Sequence, residues 1–423
     1  MTTPATVDLI YFNAGGGHRA AAHALEAVIA EQRRPWRVRT INLFEVLDPQ
    51  GRFRRITGFA PEDLYNQRLA RGWTLGMAQE LKLLQRLIRA AHATLLQRLQ
   101  AHWQHSAPDL VVSLVPNFNR AMGESLAAAR PGVPFVTVMT DIADHPPAFW
   151  IEPGVAQHLV CGSATAVAQA VGLGVAPARI HRASGMILRP DFYHPLTLDR
   201  RAERARLGLD PDRPTGVVMF GGQGSMAMRT IAQRLDDVQL LLLCGHHRTL
   251  PQALRALRSG APRAVVGFTS EVRRHLMLGD FFIGKPGPGS LSEAVRLGLP
   301  VVTFRNAWTL PQERHNADWV REQGLGVVCR SVRALRPAVD ELLAGLDSYC
   351  ENVRRIDNRA VFEVPAILAL ILAGATSAGS AFRHRADTAA SRATAILSSL
   401  PTTEESRCLS EPFARLRPSP PAC

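Results

Sequence analysis

The sequence predicts an α/β protein made of two Rossmann-like halves facing a central cleft, and three observations predict it. Short continuous apolar runs recur at Val7 to Phe12, Asp109 to Val115, Pro134 to Met139, Gly216 to Phe220, Gln239 to Cys244 and Phe281 to Ile283. Runs of that length suit parallel strands covered on both faces. Each half also begins with a strand, a glycine turn and a helix: Asn13-Ala14-Gly15-Gly16-Gly17-His18 in the first, Gly221-Gly222-Gln223-Gly224-Ser225 in the second. Finally, Phe281 to Phe304 reads as strand, glycine-rich loop, helix and strand, the unit whose helix N-terminus commonly receives phosphate.

The chain has 423 residues, which suggests two domains. Hydrophobic content of 46% and charged content of 20% are those of a folded protein with a sizeable core. Its 49 Lys+Arg against 36 Asp+Glu, net +13, imply attraction to an anionic partner: nucleic acid, a membrane surface or a phosphorylated substrate. Nearly all the basic charge is arginine, since Lys82 and Lys285 are the only lysines. No basic run with interleaved aromatics argues for nucleic acid. The six cysteines form no C-x-x-C pair and no metal spacing with histidine. There is no signal-like N-terminus and no apolar stretch of membrane-spanning length, so a cytoplasmic location is expected.

In the first half, the Gly15 to His18 turn lacks the full G-x-G-x-x-G and is a weak dinucleotide signal. His18 opens a helix of about Arg19 to Gln32, where the dipole disfavours the imidazolium; a neutral ring there can serve as a base or simply line the turn. A second strand at Trp36 to Leu43 is followed by an aperiodic excursion, Gly51 to Gly72. Trp73 to Trp103 reads as one long helix with apolar residues at Met77, Leu81, Leu84, Ile88, Ala91, Leu95 and Leu99, and Lys82, Arg86 and Arg89 opposite. That stripe fits a core contact or a basic amphipathic helix on a membrane. Polar loops Pro116 to Arg120 and Thr140 to Trp150 follow strands, at the ends where open α/β sheets gather ligands. Asp141, Asp144 and His145 are therefore candidates, alongside the plainer reading of solubilising loop residues.

Leu188 to Pro214, rich in Arg, Asp and Pro, is the predicted linker, and Asp210-Pro211-Asp212 within it reads as a turn and not a metal-binding D-x-D. The resulting boundaries are residues 1–188, a linker at 189–214, a second domain at 215–348, a closing helix at 349–373 and a disordered tail at 374–423. In the Phe281 to Phe304 unit, Ser290 reads as an N-cap with Glu293 three positions on, a capping box. The helix should stop at Gly298 and Pro300. Capped helix and anion site are both open readings of this stretch.

Taken together, GGGH at Gly15 to His18, GGQGS at Gly221 to Ser225, TDIADHPPAFW at Thr140 to Trp150, KPGPGSLSEA at Lys285 to Ala294 and PQERHN at Pro311 to Asn316 resemble the monogalactosyldiacylglycerol synthase family. That family is itself similar to the GlcNAc transferase of peptidoglycan lipid synthesis. The resemblance covers about Val7 to Val328. It implies a GT-B fold, a UDP-sugar donor in the second half and a diacylglycerol acceptor reached from an anionic membrane surface, with no nucleic-acid partner. The enzyme would be a UDP-sugar-dependent hexosyltransferase bound peripherally at the inner face of the cell membrane.

The same resemblance places uracil near Phe268, pyrophosphate against Gly222, Gly224, Ser225, Gly289, Ser290 and Leu291, ribose on Glu293, and the donor sugar at Gln312 and Glu313. His18 and Asp141 compete as the base. Gly17, Asn117, Asn119, Asp144 and His145 would lie on the acceptor side. No cofactor and no obligatory metal are implied, the helix N-terminus instead stabilising the leaving diphosphate. Pro288 departs from the family pattern by removing one N–H from the loop. Inversion to a β-linkage is expected. Alternatives are a UDP-GlcNAc-dependent transferase acting on another lipid, a non-catalytic UDP-sugar-binding protein at the membrane, and a nucleic-acid binder drawn from the charge.

Overall fold

Twelve strands form two six-stranded parallel sheets in the computed structural model, which describes residues 4–13, 16–51, 55, 77–307 and 309–375. Most of the predicted excursion, Gly15 and the predicted tail beyond residue 375 lie outside these residues. The first sheet comprises β1 (Ala5–Tyr11), β2 (Trp36–Asn42), β3 (Leu110–Ser113), β4 (Phe135–Val138), β5 (Gln157–Cys161) and β6 (Ile180–Arg182). The second comprises β7 (Thr215–Met219), β8 (Gln239–Leu243), β9 (Arg263–Val266), β10 (Phe281–Gly284), β11 (Val301–Phe304) and β12 (Gly326–Cys329).

Their orders, β2-β1-β3-β4-β5-β6 and β12-β11-β10-β7-β8-β9, each reverse direction once. The reversal falls between β1 and β3 in one sheet and between β7 and β10 in the other, and a crevice opens at such a switch point, beyond the carboxyl ends of the strands. The predicted glycine turns follow β1 and β7, and the predicted anion loop follows β10. Topology thus puts these motifs at the two crevices.

Alternate residues of each strand feed two cores, which is why the strands read as unbroken apolar runs. Val7 and Leu9 pack with the helix Gly17–Glu31 and a helix over residues 360–375, whereas Ile10 packs with Leu99, Trp103 and Met122 on the other face. In β10, Phe281 and Ile283 join Ile231 and Val339 on one side, while Phe282 joins Leu291, Val295 and Val320 on the other.

Several elements differ from the sequence expectation. The long helix is two, Met77–Ala90 and His92–Ser106, joined at Ala91. Leu81 and Ile88 of the first part are partly buried against the cores, as is Leu95, and in the second part Leu99 and Trp103 are fully buried. On the first part Leu83, Leu84 and Leu87 are 55%, 45% and 58% exposed. Residues 189–214 are not an open connection, since Phe192 and Leu209 are buried in the second core and a helix spans Arg200–Arg206. Asp212 N–H donates to Asp210 Oδ1 at 2.9 Å, which makes Asp210-Pro211-Asp212 the turn the sequence suggests. The closing helix is likewise split, into Leu346–Arg354 and residues 360–375, and the latter returns to the first sheet.

Candidate active site

The first wall of the site is built where β1, β3 and β4 end. Gly16 takes φ 84° as the cap of the helix Gly17–Glu31, a left-handed turn that glycine adopts at no steric cost, and this starts the helix with His18 at its second position. Gly17 is exposed beside it. His18 Nδ1 lies 3.1 Å from Thr140 Oγ1, and its ring centroid 5.9 Å from that of Trp150. Burial lowers the His18 pKa to about 4 against an opposing backbone hydrogen bond at Leu114. The ring is neutral, as the sequence suggests, but burial is the leading cause.

Asp141 is 6% exposed, and its Oδ2 accepts a hydrogen bond from Trp150 Nε1 at 3.0 Å. Burial pushes its pKa up to about 7; the Trp150 bond opposes this, Glu313 adds to it, and Lys285 pulls the other way. Those two charges belong to the second half, so Asp141 faces it across the cleft. Asp141 Oδ1 has no hydrogen-bond partner among the described residues and can take a proton from a substrate hydroxyl.

Three of the five residues expected on the acceptor side have other employment. Asp144 Oδ1 accepts from Phe149 N at 3.1 Å and Trp150 N at 2.6 Å, while Gln169 brackets its own backbone. Buried Asn119 accepts from Ser113 Oγ at 2.6 Å and donates to Trp150 O at 3.0 Å. Asn117, at φ 67°, donates from its backbone to Phe149 O at 2.6 Å and accepts at Oδ1 from Gln85 Nε2. All three clamp the loop that carries Trp150, which fixes the carboxylate of Asp141 in turn. Polarity marks their side chains in the sequence, and the same polarity satisfies backbone groups of a buried loop. His145 is exposed; partial burial lowers its pKa, and Arg314, His315 and Arg305 act in the same direction.

The second wall lies at the ends of β7 to β11. Gly224 has φ 66°, and a Cβ there would meet Cys244 O at 2.2 Å, so no larger residue fits. Around Gly222 a Cβ would meet nothing within 4 Å, which leaves its face open. Buried Ser225 accepts from Ala227 N at 3.3 Å, just before the helix Ala227–Arg234. Phe268 is 63% exposed and stacks on His246 with centroids 3.9 Å apart, giving a flat aromatic platform at the edge of the crevice. His246 N also donates to Gly222 O at 2.9 Å, tying platform to glycine turn.

The anion loop corrects the capping prediction. The helix is Pro288–Arg296 with Gly287 as its cap and no side-chain cap bond, so Ser290 is its third residue and Glu293 its sixth. Proline at the first helical position sets this start, because its fixed φ fits there and its missing N–H would have been unbonded anyway. The loss anticipated at Pro288 is therefore small. Leu291 N–H donates to Gly287 O at 3.0 Å and its side chain is buried in the core, which removes it as a diphosphate donor. Gly289 and Ser290 precede the first intrahelical bonds and keep their N–H groups for a ligand.

Glu293 is half-buried, and burial raises its pKa to about 7 while Arg189 lowers it and Asp191 raises it. Its backbone carbonyl accepts from Leu297 N at 3.2 Å, and its carboxylate has no hydrogen-bond partner among the described residues. Gln312 and Glu313 lie on the 3-10 turn Pro311–Glu313. Gln312 is half-buried, and buried Glu313 accepts from Lys285 Nζ at 2.6 Å. Sequence reasoning missed Lys285, Thr140, Trp150, His246 and Arg189 as neighbours of the site. For Lys285 the signal was present: it is one of two lysines in an arginine-rich chain. Among the described residues, no group of three or more His, Cys, Asp or Glu could hold a metal ion.

Proteins of known description share sequence with this chain. A rice protein (Oryza sativa subsp. japonica) described as probable monogalactosyldiacylglycerol synthase 2, chloroplastic, is 29% identical over 267 residues, 60% of this chain and 55% of its own length. Monogalactosyldiacylglycerol synthase 1, chloroplastic, of Arabidopsis thaliana is 25% identical over 397 residues, 85% of this chain and 70% of its own. Both are described as monogalactosyldiacylglycerol synthases. They are the family the motifs resemble, and the chain spans about half the length of the first of them. No family model matches the chain.

Among solved structures, Acinetobacter baumannii MurG superposes with a TM-score of 0.52 at 12% identity, covering 86% of this chain and 99% of that one. The S. aureus MnaA-UDP co-structure gives 0.53 at 13%, covering 84% and 92%. The fold is GT-B, two Rossmann-like domains.

Proposed function

We propose that the protein is an inverting glycosyltransferase that moves a hexose, galactose or glucose, from a UDP-sugar to diacylglycerol and makes a β-glycolipid at a membrane surface. The observation that carries the reading is the confrontation across one cleft of a carboxylate poised near neutrality, Asp141, with a nucleotide-type wall that ends in Lys285 and Glu313. The synthase relatives supply the substrate class.

In this reading uracil lies on the Phe268 and His246 platform, ribose hydroxyls donate to Glu293, and the diphosphate takes the N–H groups of Gly289 and Ser290 and the open face of Gly222. Gln312 and Glu313 meet the sugar. The acceptor hydroxyl enters from the first wall and gives its proton to Asp141 as its oxygen attacks the anomeric carbon opposite the departing UDP. His18, neutral and held beside Thr140, orients that hydroxyl. No obligatory metal is proposed; fixed N–H dipoles in a water-poor cleft stabilise the charge that develops on the diphosphate.

The membrane part of the reading draws on the helix Met77–Ala90. Among the described residues, no helix is long and apolar enough to cross a membrane. Leu83, Leu84 and Leu87 are exposed next to Lys82, Arg86 and Arg89, a combination that suits an anionic lipid surface. The deciding experiment presents the pure protein, in EDTA, with UDP-galactose, UDP-glucose or UDP-GlcNAc and diacylglycerol vesicles, and identifies the lipid product. A β-hexosyl diacylglycerol is expected. An α-linked product overturns inversion, and transfer from UDP-GlcNAc alone overturns the hexose.

A further inference from the structure

We propose that Lys285 is a further catalytic residue, the cation that leaves Glu313 to meet the β-phosphate of the departing UDP. This rests on the nucleotide reading above and adds to it a residue and a step. The placement is the argument. Lys285 directly follows β10, and its Cε lies 3.7 Å from where a Cβ on Gly221 would stand and 3.5 Å from the same point on Gly287. The side chain thus runs between the two glycine loops on either side of the switch point, the crevice in which this topology holds a diphosphate. Small residues on both sides leave an anion room to reach it.

Its partner tells which member of the ion pair moves. The Glu313 side chain is 8% exposed and that of Lys285 31%, so the carboxylate is walled in while the ammonium borders the open cleft. Taking a cation away from a buried carboxylate is costly unless other donors replace it. A bound donor provides both replacements: the diphosphate takes the ammonium in charge-assisted hydrogen bonds, and a hydroxyl of the transferred sugar donates to Glu313. The reaction then balances without another reagent. The acceptor O–H breaks, with its proton going to Asp141, and the oxygen bonds to the anomeric carbon. The bond from that carbon to the β-phosphate oxygen breaks with its electron pair. Lys285 faces the resulting charge, which is greatest on the β-phosphate, while the α-phosphate rests on the N–H groups of Gly289 and Ser290.

Lys285 therefore separates UDP from UMP, and calorimetric titration in EDTA with the two nucleotides tests it without any acceptor. The wild-type protein is expected to bind UDP about tenfold tighter than UMP, the worth of one charge-assisted contact. In Lys285→Met that ratio falls to about two with UMP affinity unchanged, Lys285→Arg recovers part of it, and Glu313→Gln keeps or raises it because the lysine is freed. A folded Lys285→Met that retains the wild-type ratio, or weakens UMP as much as UDP, overturns the proposal while leaving the nucleotide site intact. Should Lys285→Met not fold, Glu313→Gln decides, and a fallen ratio there overturns it. Wild-type protein that binds neither nucleotide defeats the site reading itself.

Discussion

Two side chains can accept the acceptor proton, and their titration tells them apart. His18, pushed down to about 4, is neutral at any working pH but a weak base, while Asp141, raised to about 7, matches the proton affinity that general-base catalysis favours near neutrality. Trp150 holds Oδ2 of Asp141 and leaves Oδ1 open. The proposed mechanism therefore takes Asp141 as its base. Because its active form is the ionised one, kcat/KM for the donor reaction should rise with pH through about 7 and level off above. Asp141→Asn should abolish that limb with a loss of at least about a hundredfold, whereas His18→Gln should lower the rate and leave the limb in place. A limb near pH 4 that survives Asp141→Asn and disappears in His18→Gln would give the role to histidine.

Secondary-structure elements show what could be read in advance and what could not. The strands around Phe281 to Ile283 and Val301 to Phe304 were legible because burial on both faces leaves an unbroken apolar run. The start of the helix between them was not. Ser290 and Pro288 both signal a beginning, and the extended backbone of Gly287 followed by proline prevailed over a side-chain cap. That start moves Glu293 from the capping position the spacing suggested to the sixth residue of the helix, with no cap to close. Asn119 and Asp144 mislead in the opposite sense, since nothing in their spacing tells a ligand contact from a buried loop clamp.

The helix Met77–Ala90 carries one apolar stripe in the sequence, and the stripe does not say which part finds a core. Leu83 and Leu87, outside it, are the most open of its leucines. Vesicles containing anionic lipid should bind the protein in a salt-sensitive manner, and Leu83→Asn with Leu87→Asn should weaken this several-fold without changing UDP affinity. Each basic group near such a surface adds on the order of 1 kcal/mol, so Arg86→Glu should weaken it further. Binding that ignores salt, lipid charge and these substitutions would remove the helix from the membrane reading.

At the level of the whole molecule, the site is built at the expense of stability, and pH reveals it. Asp141 and Glu293 both have folded pKa values raised to about 7 by burial, from ordinary values of 3.8 and 4.5. Between those limits the folded state binds more protons than the unfolded one, so their contribution is favourable at low pH and is lost as pH rises through about 7. His18 and His158, lowered from 6.5 to about 4, act in the other direction, and their contribution is lost as pH falls from about 6.5 toward 4. Substituting one group at a time separates the two.

Glu293→Gln removes a half-buried charge and keeps the shape, so the unliganded variant should melt at least about 2 °C above wild type at pH 8 and no higher than wild type at pH 5. In the proposed complex the ribose hydroxyls donate to that carboxylate and recover part of its burial cost, so the same variant should lose UDP affinity about tenfold or more at pH 8. A structural carboxylate would give the reverse pair of results: a variant less stable at pH 8 that binds UDP as wild type does. A gain in stability coupled to a loss of nucleotide binding is the signature of a residue kept for its ligand.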